Sequence, residues 1–188
     1  AMVGARSAAM AFNRIADRRI DARNPRTRGR ELPSRRLTVC QAWASVLSAM
    51  VVFLFAAWAL NPLCAALAPV ALIWVATYSY TKRFTSLSHL WLGAALAIAP
   101  VGGYVAVTGA WSVRPWLLLV IALAVARWVA GFDIFYALQD EAFDRGEGLH
   151  SLVVRLGKEW AIIVTKVLHG VSIAVLLLFG KEAGLGLP

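Results

Sequence analysis

Five stretches of the chain stay apolar with few interruptions: about Leu37 to Leu60, Leu63 to Thr81, Leu87 to Thr108, Pro115 to Gln139 and Trp160 to Phe179. Each is about as long as the roughly 20 residues that an α-helix needs to cross a bilayer. The runs are continuous rather than striped, which predicts helices surrounded by hydrocarbon rather than packed on a wet surface. Asn61-Pro62 separates the first two runs, and Pro115 suits the first turn of the fourth. Pro69 lies inside the second run, and Pro100, Gly102 and Gly103 loosen the third. The opening stretch, Ala1 to Phe12, is apolar and rich in small residues and reads as the second half of a further helix. The pattern predicts an all-α, polytopic transmembrane bundle of about six helices, one membrane domain over residues 1–188, and a chain that is an internal part of a longer protein.

Composition supports that class. Hydrophobic residues make up 60% of the chain and charged residues 15%, against about 45–50% and about 25% in soluble domains. The formal net charge is +9, and nine arginines (14, 18, 19, 23, 26, 28, 30, 35 and 36) crowd residues 14–36. Such a run suits nucleic acid in a soluble protein. In so hydrophobic a chain it points to a cytoplasmic membrane loop or an anionic ligand such as phosphate, and no nucleic-acid partner is expected. Counting crossings from that loop puts residues 22–36, Lys82-Arg83 and 140–158 on one side and the turns at 61–62 and 109–114 on the other. The basic side should be cytoplasmic, which predicts a multi-pass inner-membrane protein with its polar loops facing the cytoplasm. Several of the eight tryptophans fall near helix ends, as interfacial belts require. Cys40 and Cys64 lie in apolar runs without metal-ligand spacing and read as packed membrane cysteines.

Against this background two acidic clusters stand out. Asn13, Asp17 and Asp21 recur every four residues, a step that drifts only about 40° around a helix, so they share one face. Asp133, Asp140 and Asp144, with Tyr136 between, are spaced to form a second stripe. Carboxylates one turn apart repel, and near a membrane they are costly. Oxygen-only ligands at this spacing suit Mg²⁺, which uses one or two carboxylates together with water and phosphate oxygens. Two such clusters could hold two Mg²⁺ ions around a diphosphate, with Arg26, Arg30, Lys82 and Arg83 binding the remaining phosphate oxygens. The plainer reading is solvated helix-end charges paired with neighbouring arginines.

The residues that carry these clusters resemble a known family. Asn13–Thr38, NRIADRRIDARNPRTRGRELPSRRLT, resembles the first aspartate-rich motif and loop of UbiA-type membrane prenyltransferases, and Asp133–Gly157, DIFYALQDEAFDRGEGLHSLVVRLG, resembles their second. Tyr78–Thr85, YSYTKRFT, resembles the tyrosine–lysine–arginine loop between them. The wording is most similar to bacterial 4-hydroxybenzoate polyprenyltransferases, a group that includes menaquinone-pathway enzymes acting on a dihydroxynaphthoate. Many members have Asn-Asp where this chain has Asn13-Arg14.

The resemblance implies a nine-helix fold around a central cavity, of which this chain would hold the second to the seventh helix. It implies Mg²⁺ held by Asn13, Asp17, Asp21, Asp140 and Asp144, a polyprenyl diphosphate donor, an aromatic acid acceptor and a role in quinone biosynthesis. Lys82 and Arg83 would add positive charge at the diphosphate. Tyr136 would face the allylic cation or simply pack, and Asp133 would orient the acceptor or tune a metal. Arg127, deep in the fourth run, could meet the acceptor's carboxylate or could snorkel or pair with an acid. Lys166 and His169 read as one polar face, His150 and Ser151 as weak phosphate contacts, and Gly29 and Pro33 as loop-shaping residues. Two other classes use similar acids. A cation transporter would want them at mid-membrane rather than beside an arginine-rich loop, and a soluble prenyl synthase would lack the continuous apolar helices.

Overall fold

A computed structural model describes residues 1–111 and 114–186. Among the described residues the regular elements are helices: α1 (Met2–Arg23), α2 (Val39–Leu60), α3 (Pro62–Thr81), α4 (Ser88–Thr108), α5 (Pro115–Ala137), α6 (Glu141–Gly146), α7 (Leu152–Leu156) and α8 (Lys158–Glu182). α2, α3, α4, α5 and α8 are long and apolar enough to cross a membrane. These are the five runs legible in the sequence, and with α1 they make the six long helices expected. Many large side chains on the spans point outward, among them Val51, Phe55, Trp58 and Ile73. Such faces would be a liability in water, but they match lipid tails at no cost. The chain is a multi-pass membrane protein.

Local signals set the helix ends. Thr38 and Gln41 form a capping box at the start of α2: Thr38 Oγ1 accepts from the Gln41 N–H at 3.2 Å, and the Thr38 N–H donates to Gln41 Oε1 at 3.0 Å. Pro115 occupies the first turn of α5, where its missing N–H leaves no bond unmade. α4 stops at Gly109, whose φ of 66° is open to glycine at little cost.

The chain folds as two compact units, Ala1–Tyr80 and Thr81–Pro188. In the first, α1 packs on α2. Ile15, Ala42 and Val46 form the buried centre, flanked by Phe12, Leu32, Leu37 and Met50. Phe12 also meets the rings of Trp43 and Tyr80 edge-on. In the second unit α5 packs on both α4 and α8, and Ile134, Ala137, Val153 and Ala161 form the buried centre. Small residues allow the close approach: Gly93 of α4 lies directly against the Ala126 backbone of α5.

Two expectations are corrected. The predicted fourth helix runs to about Gln139, with Asp133, Asp140 and Asp144 on one continuous stripe. The helix stops at Ala137 instead. The N–H groups of Gln139 and Asp140 reach back only three residues, to Tyr136 and Ala137 at 3.2 and 3.1 Å. This tighter turn ends the α-helical register, and Asp140 becomes the residue that starts α6. Residues 152–156, expected as loop, form the short helix α7.

Candidate functional site

The first acidic stripe lies on the second half of α1. Asn13 Nδ2 donates to Asp17 Oδ2 at 3.0 Å and to Ser79 Oγ at 3.3 Å, which ties the stripe to the end of α3. The one-turn spacing puts amide and carboxylate side by side, as the sequence predicts. Asp21 ends the stripe and is buried. The following loop folds back over it. Asn24 Oδ1 accepts the Arg26 N–H at 2.9 Å, an Asx turn, and Thr27 Oγ1 donates to the Asp21 carbonyl at 3.2 Å. That reversal brings Arg30 Nη1 to 2.8 and 2.9 Å from the two Asp21 carboxylate oxygens. Arg26, on the same loop, is exposed.

The second acidic motif is divided between two elements. Asp133 stays on α5, where its Oδ2 lies 2.7 Å from Nδ1 of His89, a buried residue in the first turn of α4. Asp140 and Asp144 follow the break and remain one turn apart, joined by the Asp144 N–H to the Asp140 carbonyl at 2.7 Å. Asp144 is buried, and Lys82 Nζ lies 3.8 Å from its Oδ2. The Lys82 carbonyl accepts the His150 N–H at 2.7 Å, so the basic turn and the second acidic loop are stitched together. Arg83, next to Lys82, is exposed. Tyr136 is also exposed, and its ring is braced edge-on by Phe132 with centroids 5.1 Å apart. Around the corner of α6, Arg145 donates to Glu141 Oε1 from Nη2 at 2.7 Å and from Nε at 3.2 Å. The Arg145 hydrogen bond holds the Glu141 carboxyl below its ordinary value; desolvation opposes it, and the charges of Arg145 and Lys158 add to the lowering.

The side chains present fit a hard divalent cation in donor type: one amide and two carboxylates on α1, two carboxylates at α6, and no sulfur. Among the described residues no three His, Cys, Asp or Glu side chains converge on one point. Each cluster would offer at most the one or two carboxylates that Mg²⁺ takes alongside water and phosphate.

Sequence reasoning overlooked His89. A signal was present, because an ionisable residue at the edge of an apolar run is a functional candidate by default. It was obscured by the 44 residues that separate it from Asp133. Arg127 remains a candidate: its Nη1 is buried and makes no hydrogen bond among the described residues. Lys166 is exposed. His169 is a packing residue, its Nε2 3.1 Å from the Trp128 carbonyl and its ring beside Gly131. Ser151 Oγ caps α7 by accepting the Val154 N–H at 3.1 Å. His150 and Ser151 line a cavity of about 440 Å³ together with Ser86 and Arg155.

The profile of the UbiA prenyltransferase family matches residues 1–188. The 4-hydroxybenzoate octaprenyltransferase of Azotobacter vinelandii is 34% identical over 183 residues, covering 96% of this chain and 60% of that protein. The protein of the same name from Vibrio campbellii is 30% identical over 181 residues, covering 96% of this chain and 62% of that protein. The chain thus spans about 60% of the length of such relatives. Among solved structures, the apo form of a UbiA homolog from Aeropyrum pernix K1 superposes with a TM-score of 0.92 at 37% identity, over 98% of this chain and 69% of that one.

Proposed function

The chain belongs to the UbiA prenyltransferase family, and we propose that the whole protein transfers a polyprenyl group from a polyprenyl diphosphate to an aromatic acid in quinone biosynthesis. The acceptor would be 4-hydroxybenzoate or a dihydroxynaphthoate. The observation that carries this reading is shared by both acidic motifs. The last aspartate of each is buried and faces a cation, Arg30 at Asp21 and Lys82 at Asp144. Carboxylates and cations held together in this way suit a ligand that brings its own negative charge and its own counter-ions.

Asn13, Asp17, Asp21, Asp140 and Asp144 would hold Mg²⁺, which when bound neutralises charge that builds on the leaving diphosphate. Arg26, Arg30, Lys82 and Arg83 would bind the phosphate oxygens; arginine suits this because its planar fork matches phosphate geometry. The allylic C–O bond breaks with its electrons going to the diphosphate. A ring carbon ortho to the phenol then forms the new C–C bond, and the ring proton is lost. Tyr136, braced by Phe132, would turn its ring face to the allylic cation. Asp133 would hold the acceptor, and Arg127 would meet its carboxylate from within the span. Apolar walls serve the chemistry by keeping out water that would trap the cation. The basic turns support a cytoplasmic location, at the inner membrane, for the active-site loops. Family membership does not favour a cation transporter.

The test is a transfer assay. Membranes with the full-length protein receive a radiolabelled polyprenyl diphosphate, Mg²⁺ and either acceptor. A lipid-soluble aromatic product with one of them is expected. A folded preparation that makes none with any aromatic acid would sink the proposal.

A further inference from the structure

His89 is the most completely buried charged or titratable side chain near either motif, at 1% exposure, and both of its ring nitrogens are engaged. Nδ1 lies 2.7 Å from Asp133 Oδ2, and Nε2 accepts the Leu152 N–H at 3.4 Å. An N–H donor at Nε2 leaves that nitrogen without a proton. With the Leu152 N–H donating to Nε2, the geometry assigns the ring N–H to Nδ1, which donates to Asp133. One imidazole thus joins three elements: α4, which carries it; α5, which carries Asp133; and the first residue of α7, where the second acidic loop ends.

The carboxylate itself is not used up. His89 takes Oδ2, and the Asp133 side chain keeps 18% exposure. Asp133 and Tyr136 are three residues apart on α5 and are neighbours on its surface. A fixed acceptor oxygen therefore stands beside an exposed aromatic ring. We propose that His89 is a positioning residue that holds Asp133 as an oriented hydrogen-bond acceptor for the phenolic hydroxyl of the aromatic acceptor. This rests on the prenyl-transfer reading and extends it to a residue outside both acidic motifs. The imidazole acts through Asp133 and touches no substrate. It fixes the angle at which the carboxylate meets the hydroxyl, and a hydrogen bond lost or misaligned there weakens acceptor binding by about tenfold.

The geometry gives two partial replacements. In His89→Asn the amide nitrogen occupies the place of Nδ1 and can still donate to Asp133, but nothing reaches Leu152. In His89→Gln the amide oxygen occupies the place of Nε2 and can still accept from Leu152, but the bond to Asp133 is gone. The experiment compares the full-length wild type with His89→Ala, His89→Gln and His89→Asn. It measures KM for acceptor and donor separately, thermal stability, and the ¹⁵N spectrum of the labelled histidines. The wild-type spectrum should show a protonated Nδ1 and an unprotonated Nε2 at His89. His89→Ala and His89→Gln should raise the acceptor KM by about tenfold or more while the donor KM stays put, and His89→Asn should recover most of that loss. Acceptor and donor KM rising together in step with lost stability would reduce His89 to a packing residue and overturn the proposal. So would an unchanged acceptor KM in both His89→Ala and His89→Gln, or an Nε2–H tautomer. A wild type that turns over no aromatic acid, with His89 in the expected tautomer, would overturn the acceptor role together with the prenyl-transfer reading. Normal wild-type turnover with indifferent variants would overturn the proposal alone.

Discussion

Arg30 Nη1 lies 2.8 Å and 2.9 Å from the two oxygens of the Asp21 carboxylate, which is itself only 8% exposed. A carboxylate so placed cannot lose its partner without consequence, because water does not replace the bond. Arg30→Met should lower stability by about 1–3 kcal/mol and raise the KM for the polyprenyl diphosphate. Thermal unfolding in detergent and steady-state kinetics would show both effects. Unchanged stability would mean that the loop does not hold Arg30 on Asp21.

Two glycines of the second unit make a graded pair. A Cβ at Gly93 would collide with the Ala126 backbone of α5, which cannot move without moving the helix. A Cβ at Gly131 would meet His169 Nε2 at 2.9 Å, the far end of a side chain that can rotate. Gly93→Ala should therefore cost more stability than Gly131→Ala, on the order of 1–3 kcal/mol or more for Gly93. Equal melting temperatures for the two variants would contradict the close α4–α5 approach.

Glu141 provides a pH handle outside the spans. Arg145 holds its folded-state carboxyl below the ordinary value of 4.5. A lowered folded value stabilises the protein above the ordinary value, and that contribution disappears as pH falls through the lowered one. Arg145→Gln should move the Glu141 titration up, as read by NMR of the labelled carboxyl. No movement would show that the pair is not formed. Glu141 stays ionised throughout about pH 6 to 8, so it should contribute nothing to the pH dependence of turnover there.

At Arg127 a stability cost and the proposed acceptor role can be tested together. Its buried Nη1 makes no hydrogen bond among the described residues, and an arginine at mid-span costs about 2.5–3.5 kcal/mol on insertion scales. Arg127→Met should raise the melting temperature and at the same time raise the acceptor KM. A gain in stability with an unchanged acceptor KM would remove Arg127 from the proposed acceptor pocket.

The helices were legible because each is written locally. The spans show as unbroken apolar runs, and Asn61-Pro62, Gly109 and Pro115 mark their ends where the structure has them. The first acidic stripe was legible for the same reason, since Asn13, Asp17 and Asp21 need only the pitch of α1 to align. The second was misread as one stripe because spacing alone cannot reveal the tight turn at residues 138–140 that separates Asp133 from Asp140. The partners of the acids were harder still. Arg30 reaches Asp21 through a loop reversal set by Asn24 and Thr27, and His89 reaches Asp133 only through the packing of α4 on α5. Such long-range pairs have no periodic signature in a single sequence.

The proposed function requires that polyprenyl diphosphate binding depend on Mg²⁺ and on aspartates of each acidic motif. Equilibrium binding of a polyprenyl diphosphate to the full-length protein tests it most directly, with Mg²⁺ or with EDTA, in the wild type, Asp17→Ala and Asp140→Ala. Binding should require Mg²⁺ and should fall by about a hundredfold or more in each variant, since each would lose a proposed metal ligand. Tight binding in EDTA, or undiminished binding in either variant, would contradict the account.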